Sequence, residues 1–197
     1  MTRRFVAMGV PGDVRGPLLA ALRQVMDRRN DLVWTDPGSW HVTLAFLGEV
    51  EDHRIVSVRT AVEHGVRAAS AGSVVDLHVG TPARFGDRTL YLNVGDQPTS
   101  VLARLGESIQ TQLASAGLPV QEQDVIAHLT LARGRHNGAI DNALVSEVAD
   151  AIAINASARA WTAEQLAIWS TQPSAGPGPA RYIVDEVVSL HPEQLAR

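Results

Sequence analysis

Apolar residues along the chain keep two rhythms. Short runs with strand-like density or every-second-residue alternation occur at "RRFVAMGV" (3–10), "HVTLAFL" (41–47), "VVDLHVG" (74–80), "TLYLNVG" (89–95), "HLTLA" (128–132), "AEQLAIWS" (163–170) and "RYIVDEVVSL" (181–190). Between them the spacing changes to that of helices. Leu18, Leu22, Val25 and Met26 form one stripe over about 13–28, with Pro17 expected in the first turn; Ile55, Val58, Val62 and Val66 form a second. Leu102, Leu105, Ile109 and Leu113 form a third, closed by Gly117 and Pro119, and Ile140, Leu144, Val148 and Ile152 a fourth. "WTDPGSW" (34–40) and "TPARFGDR" (81–88) read as turn and loop, and "TQPSAGPGPA" (171–180) as a mobile Pro/Gly-rich connection.

The order is strand, helix, His strand, helix and two strands, then helix, His strand, helix and two strands. That near-repeat predicts two related lobes packed side by side, with "TLYLNV" and the third helix also resembling the opening strand and helix. At 197 residues and 45% hydrophobic content the chain can bury a core of its own, so residues 1–197 are expected to form a single domain of two intertwined lobes, each supplying one His-x-Thr-x strand, 41–44 and 128–131.

Alternation puts His41, Thr43 and Ala45 on one face of the first motif and Val42, Leu44 and Phe46 on the other; His128, Thr130 and Ala132 oppose Leu129 and Leu131 in the second. A lone histidine in a strand is usually a hydrogen-bonded structural residue, and Thr is favoured in strands anyway. Two copies on like strands change that balance. Facing each other, they would make a cleft with two imidazoles, one able to be neutral while the other is charged near neutral pH, and two hydroxyls able to donate to phosphate oxygens. Alanines beside them would leave room for substrate.

Composition narrows the chemistry. There is no cysteine, which excludes disulfides, thiolate catalysis and Cys-based metal sites and fits a reducing, cytoplasmic setting. No carboxylate shares either motif, and neither has the short His-x-x-x-His spacing of helical zinc sites, so no metal and no cofactor are expected. The net charge of −4 argues against a broad nucleic-acid-coating surface but leaves one RNA end or a small anion as substrate. All 17 basic residues are arginine, so any cationic phosphate contact is a guanidinium fork; Arg133, Arg84 and Arg88 are candidates. No apolar run approaches the length of a membrane span, the N-terminal stretch stops at Pro11-Gly12 short of a secretory signal, and neither a membrane nor an obligate protein partner is expected; the chain is read as a monomer. Trp34 and Trp40 are read as core or rim packing in preference to base stacking. His53, His64, His136 and His191 are read as surface residues, and His78 is given no role.

"RFVAMGVPGDVRGPLLAAL", "WHVTLAFLGEV", "DRTLYLNVG", "IAHLTLARG" and "RYIVDEVVSL" together resemble the two-histidine phosphoesterase superfamily, most closely its bacterial RNA 2',3'-cyclic phosphodiesterase branch, also called 2'-5' RNA ligase-like. The resemblance runs almost end to end. It implies a bilobal, pseudo-symmetric α+β fold with antiparallel sheets lining a central cleft and helices outside. It also implies metal-independent hydrolysis of an RNA terminal 2',3'-cyclic phosphate to a 2'-phosphate, with reversible 2'-5' ligation in vitro, His41 as proton donor to the leaving oxygen, His128 as base, and Thr43, Thr130 and Arg133 as substrate-binding residues. Taken by themselves the two motifs are interchangeable in acid and base roles. A small cyclic nucleotide or ADP-ribose derivative as substrate, or a silent RNA-end binding module, are the competing expectations. Ile126 and Ala127 depart from the aromatic-Pro pair common before the second His, which predicts a looser approach to that strand.

Overall fold

The computed structural model describes residues 1–69, 74–121, 123–135, 138–154, 159–172 and 181–191; His136 and the 173–180 part of the Pro/Gly-rich connection lie outside them. Strands β1 (Thr2–Gly9), β2 (Leu32–Trp34), β3 (His41–Val50), β4 (Val75–Phe85), β5 (Thr89–Gln97), β6 (His128–Gly134), β7 (Ala160–Ala163), β8 (Gln165–Gln172) and β9 (Arg181–Ser189) form one antiparallel sheet. Helices α1 (Gly12–Arg28), α2 (Ile55–Ala69), α3 (Val101–Ser115) and α4 (Asn142–Ile154) pack on it. This is the α+β arrangement expected, with the helices outside.

Along the sheet the order is β7-β4-β5-β6-β3-β1-β8-β9, with β2 pairing β6 to the side. The sequence is symmetric about the β6–β3 junction: β5 answers β1, β4 answers β8 and β7 answers β9. It also crosses over, because β4 follows α2 in the chain yet pairs with β5, and β8 follows α4 yet pairs with β1. The helices cross in the same sense, α2 packing on α3 and α1 on α4. The junction is narrow, with Val42 opposite Leu129 as its one registered pair.

The helical stripes bury as their spacing requires. Leu18, Leu22 and Val25 of α1, Val58, Val62 and Val66 of α2, Leu105, Ile109 and Leu113 of α3, and Leu144, Val148 and Ile152 of α4 join Val42, Leu44, Leu129 and Leu131 from the sheet in one core. Gly65 of α2 is pressed against α3 so closely that a Cβ there would lie 2.6 Å from the Ile109 Cα. Asp96 accepts from the Ser100 and Leu102 amides at 3.2 and 2.7 Å, holding the start of α3; Asp141 does the same for Leu144 at 2.8 Å.

Several boundaries differ from the reading of the sequence. α1 begins at Gly12, so Pro17 lies inside the helix beyond its first turn. β4 runs through "TPARF", the stretch read as loop, and a register shift between Val79 and Pro82 accommodates the proline's missing donor. β2 and β7 were not expected: three and four residues long, they are too short to show a period. Among the described residues no helix is long and apolar enough to cross a membrane.

Candidate active site

The strands that carry the motifs break their alternation at equivalent places. Along β1–β3, Ala7 faces Thr43 but Val6 faces Ala45, so Leu44 is an extra residue; along β5–β6, Tyr91 faces Thr130 but Leu90 faces Ala132, so Leu131 is the extra one. Each motif therefore carries a β-bulge directly after its Thr, which reverses the facing of the residues that follow it, Ala45 and Phe46 in β3 and Ala132 and Arg133 in β6; in β3 the register shifts again at Leu47. Ala45 and Ala132, expected in the cleft, are in the core at 1% and 0% exposure. Phe46 and Arg133 take their places on the open face, and the room attributed to the alanines is not theirs to give.

Counting outward from the Val42–Leu129 pair, the antiparallel register sets His41 beside Thr130 and Thr43 beside His128. All five residues read as functional, His41, Thr43, His128, Thr130 and Arg133, line a single cleft of about 590 Å³, together with Phe5, Phe46, Tyr182, Thr35 and Gln121. Arg84 and Arg88 do not line it. Arg84 donates to Asn142 Oδ1 at 3.0 Å and Arg88 to the Gly134 carbonyl at 3.0 Å, which binds them to the β4–β5 turn and its neighbours. Arg4 reaches the cleft wall with its guanidinium already engaged by Asp185, Asp52 (both 2.8 Å) and the Val50 carbonyl (2.9 Å). Desolvation works to lower its pKa and is outweighed by the two carboxylates, so Arg4 is a clasp between strands.

Both histidines are held by the same device. His41 Nδ1 lies 2.7 Å from the Ser39 carbonyl and His128 Nδ1 2.6 Å from the Ile126 carbonyl, each two residues back. A carbonyl only accepts, so Nδ1 carries the hydrogen in both rings, leaving each Nε2 as the working nitrogen, acceptor when neutral and donor when charged. Aromatic rings fix the planes. Phe5 (4.8 Å between centroids), Tyr182 (5.3 Å) and Trp169 (5.8 Å) surround His41, and Phe85 (5.1 Å) and Tyr91 (5.3 Å) stand edge-on to His128. Burial pushes the His41 pKa below its ordinary value; the hydrogen bond to the Ser39 carbonyl opposes this, and the charges of His128 and Arg133 add to it.

The approach to β6 is pinned, not loose. The Val94 amide donates to the Ala127 carbonyl at 3.0 Å and the Gln121 amide to the Phe46 carbonyl at 2.8 Å. Trp40 is buried and Trp34 donates to the Arg29 carbonyl at 3.2 Å, both away from the cleft, in keeping with packing roles. His53 and His64 are exposed, His78 is exposed over Gly95, and His191 is half-buried, a departure from the surface reading. The cleft residues that sequence reasoning missed include the aromatics, Thr35 and Gln121. One signal pointed there: Arg133 stands at core parity relative to His128, which a guanidinium could occupy only if the strand slipped phase.

A model of the 2'-5' RNA ligase superfamily matches residues 16–174. The chain belongs to that family. Over 135 residues it is 26% identical to the RNA 2',3'-cyclic phosphodiesterase of Thermotoga maritima, covering 68% of this chain and 71% of that one. Over 133 residues it is 25% identical to the Bacillus subtilis protein of the same name, covering 66% and 69%. Among solved structures, E. coli LigT complexed with 3'-AMP superposes with a TM-score of 0.70 over 95% of this chain and 97% of that one at 16% identity. TT0787 of Thermus thermophilus does so with a TM-score of 0.68 over 97% and 99% at 21% identity. These two likenesses concern the fold.

Proposed function

We propose that this member of the 2'-5' RNA ligase superfamily hydrolyses an RNA terminal 2',3'-cyclic phosphate to a 2'-phosphomonoester, with His41 and His128 as the proton-transfer pair. The observation that carries the reading is the convergence of two His-x-Thr-x strands on one cleft, with both Nδ1 atoms tied to backbone carbonyls so that Nε2 of each ring is the nitrogen left for proton transfer. His128 Nε2 takes a proton from the attacking water as its oxygen bonds to phosphorus; the P–O3' bond breaks, and His41 Nε2–H protonates the departing 3' oxygen. The next cycle needs only that His128 release a proton and His41 regain one from solvent. Thr43 and Thr130 donate to the non-bridging oxygens, and Arg133, exposed and held lightly by Thr89 Oγ1 at 3.3 Å, offsets the developing charge. With a 5'-hydroxyl in place of the water, the same steps join it to the 2',3'-cyclic phosphate end: its oxygen bonds to phosphorus, the P–O3' bond breaks, and the 2'-5' phosphodiester formed can revert by the opposite path.

A small cyclic nucleotide is the second reading, favoured by the net charge of −4 and by a cleft within the usual range for small ligands, about 300–1,000 Å³. The reaction is read as metal-free and cytoplasmic, carried out by a monomer without a protein partner.

Incubation with an oligoribonucleotide ending in 2',3'-cyclic phosphate, and in parallel with a 2',3'-cyclic mononucleotide, tests both readings. We expect 2'-phosphate product from the oligonucleotide, undiminished by EDTA, and a fall in kcat of at least about 10²-fold in H41A and in H128A. Turnover of the mononucleotide alone would move the assignment to the second reading. Binding without turnover would reduce the protein to an RNA-end binding module, and activity lost to EDTA and restored by zinc would replace proton transfer with metal chemistry.

A further inference from the structure

The carbonyls of the two bulge residues, Leu44 and Leu131, are satisfied differently. Leu131 O accepts from the Thr35 amide at 2.8 Å, a direct bond from the segment that leads into the first motif to the bulge of the second. The mirrored bond, from the segment leading into the second motif to Leu44 O, is not direct. A side chain is inserted there. Gln110 of α3, 6% exposed, donates through Nε2 to Leu44 O at 3.1 Å and to Gln123 O at 3.1 Å, and accepts at Oε1 from the Gln123 amide at 3.0 Å. The amide orientation is unambiguous, since two carbonyls require the NH₂ and one N–H requires the oxygen.

One turn earlier on the same helix face, Gly106 lets α3 close on this point. A Cβ there would lie 3.0 Å from Leu44 O and 2.2 Å from Val125 Cγ2. Helix α3 thus holds the bulge that follows Thr43 and the strand approach that ends at His128 through a single buried carboxamide.

We infer that Gln110 is a positioning residue: it sets the placement of His128 relative to Thr43 by bridging the Leu44 bulge and the 123–127 approach. It touches no substrate and lines no part of the cleft. The inference rests on the two-histidine reading above, whose own test is wild-type turnover lost in H41A.

Q110M keeps volume and loses every polar contact; Q110N keeps the amide on a stem one methylene shorter. With wild-type turnover established, both variants should retain the wild-type circular dichroism while kcat on the cyclic phosphate falls about 10-fold or more in Q110M and less in Q110N. KM should stay within about 3-fold, because misplacement by a fraction of an ångström acts on the chemical step. I109V, on the same helix but facing Gly65 of α2, is the control for general loosening and should leave both constants unchanged. A Q110M enzyme within 2-fold of wild-type kcat, an equal loss in I109V, or failure of both Gln110 variants to fold would overturn the assignment.

Discussion

His41 is the residue at which the electrostatics and the proposed role pull in opposite directions. Burial and the charges of His128 and Arg133 lower its pKa, whereas a proton donor must be charged. In the proposed reaction an anionic phosphodiester beside the ring would oppose this shift by favouring the charged imidazole. In H128A, where His41 titrates without its partner, residual kcat/KM should therefore fall as pH rises through a value below 6.5; a residual rate that climbs with pH would exchange the acid and base roles. The same shift has a consequence for stability. Between the lowered folded value and the unfolded value near 6.5 the unfolded chain binds more protons, so the contribution of His41 is complete above 6.5 and erodes as pH falls through that window. Thermal melts at pH 7.5 and pH 5 should show a larger loss for wild type than for H41F, and equal losses would mean that His41 is not buried as described.

At the scale of elements, most of the architecture was legible because it rests on period. The four helical stripes and both motif strands follow from spacing alone, and His41, Thr43, His128 and Thr130 sit on the same side before any bulge intervenes. The bulges were not legible from ordinary Leu residues without Gly or Pro to mark them; only the parity of Arg133 betrayed one. Gln110 was hidden for another reason, since a polar residue between Ile109 and Leu113 on a helix reads as solvent-facing until a carbonyl is found to meet it. The α2–α3 crossing offers a direct check on close packing. G65A would force a Cβ to 2.6 Å from the Ile109 backbone, where Ser108 Oγ also donates to Gly65 O at 2.9 Å, leaving no soft neighbour to yield. Urea titration should show a destabilisation of about 1–3 kcal/mol, with an unchanged midpoint arguing that the helices separate freely.

For the whole molecule the question is whether two halves that meet through one registered β3–β6 pair, with the three-residue β2 pairing β6 beside it, behave as one body. The waist at Val42–Leu129 is narrow enough to suggest separable lobes. The crossovers argue the reverse. The sheet around β6 is completed by β4, which the chain delivers from α2, and the sheet around β3 is completed by β8 and β9, delivered from α4; each half lacks its outer strands until the other has folded. Helices repeat the exchange through the α2–α3 and α1–α4 contacts, so neither half can bury its stripes alone. We propose that residues 1–197 form a single domain of two intertwined lobes whose cleft is assembled only when both are folded. Urea unfolding followed by far-ultraviolet circular dichroism and by tryptophan fluorescence should give coincident midpoints, Trp169 reporting the β1–β8 side and Trp161 the β4–β7 side. Two resolved transitions would show that the lobes fold independently, and the pairing of His41 with His128 would then rest on docking of preformed lobes.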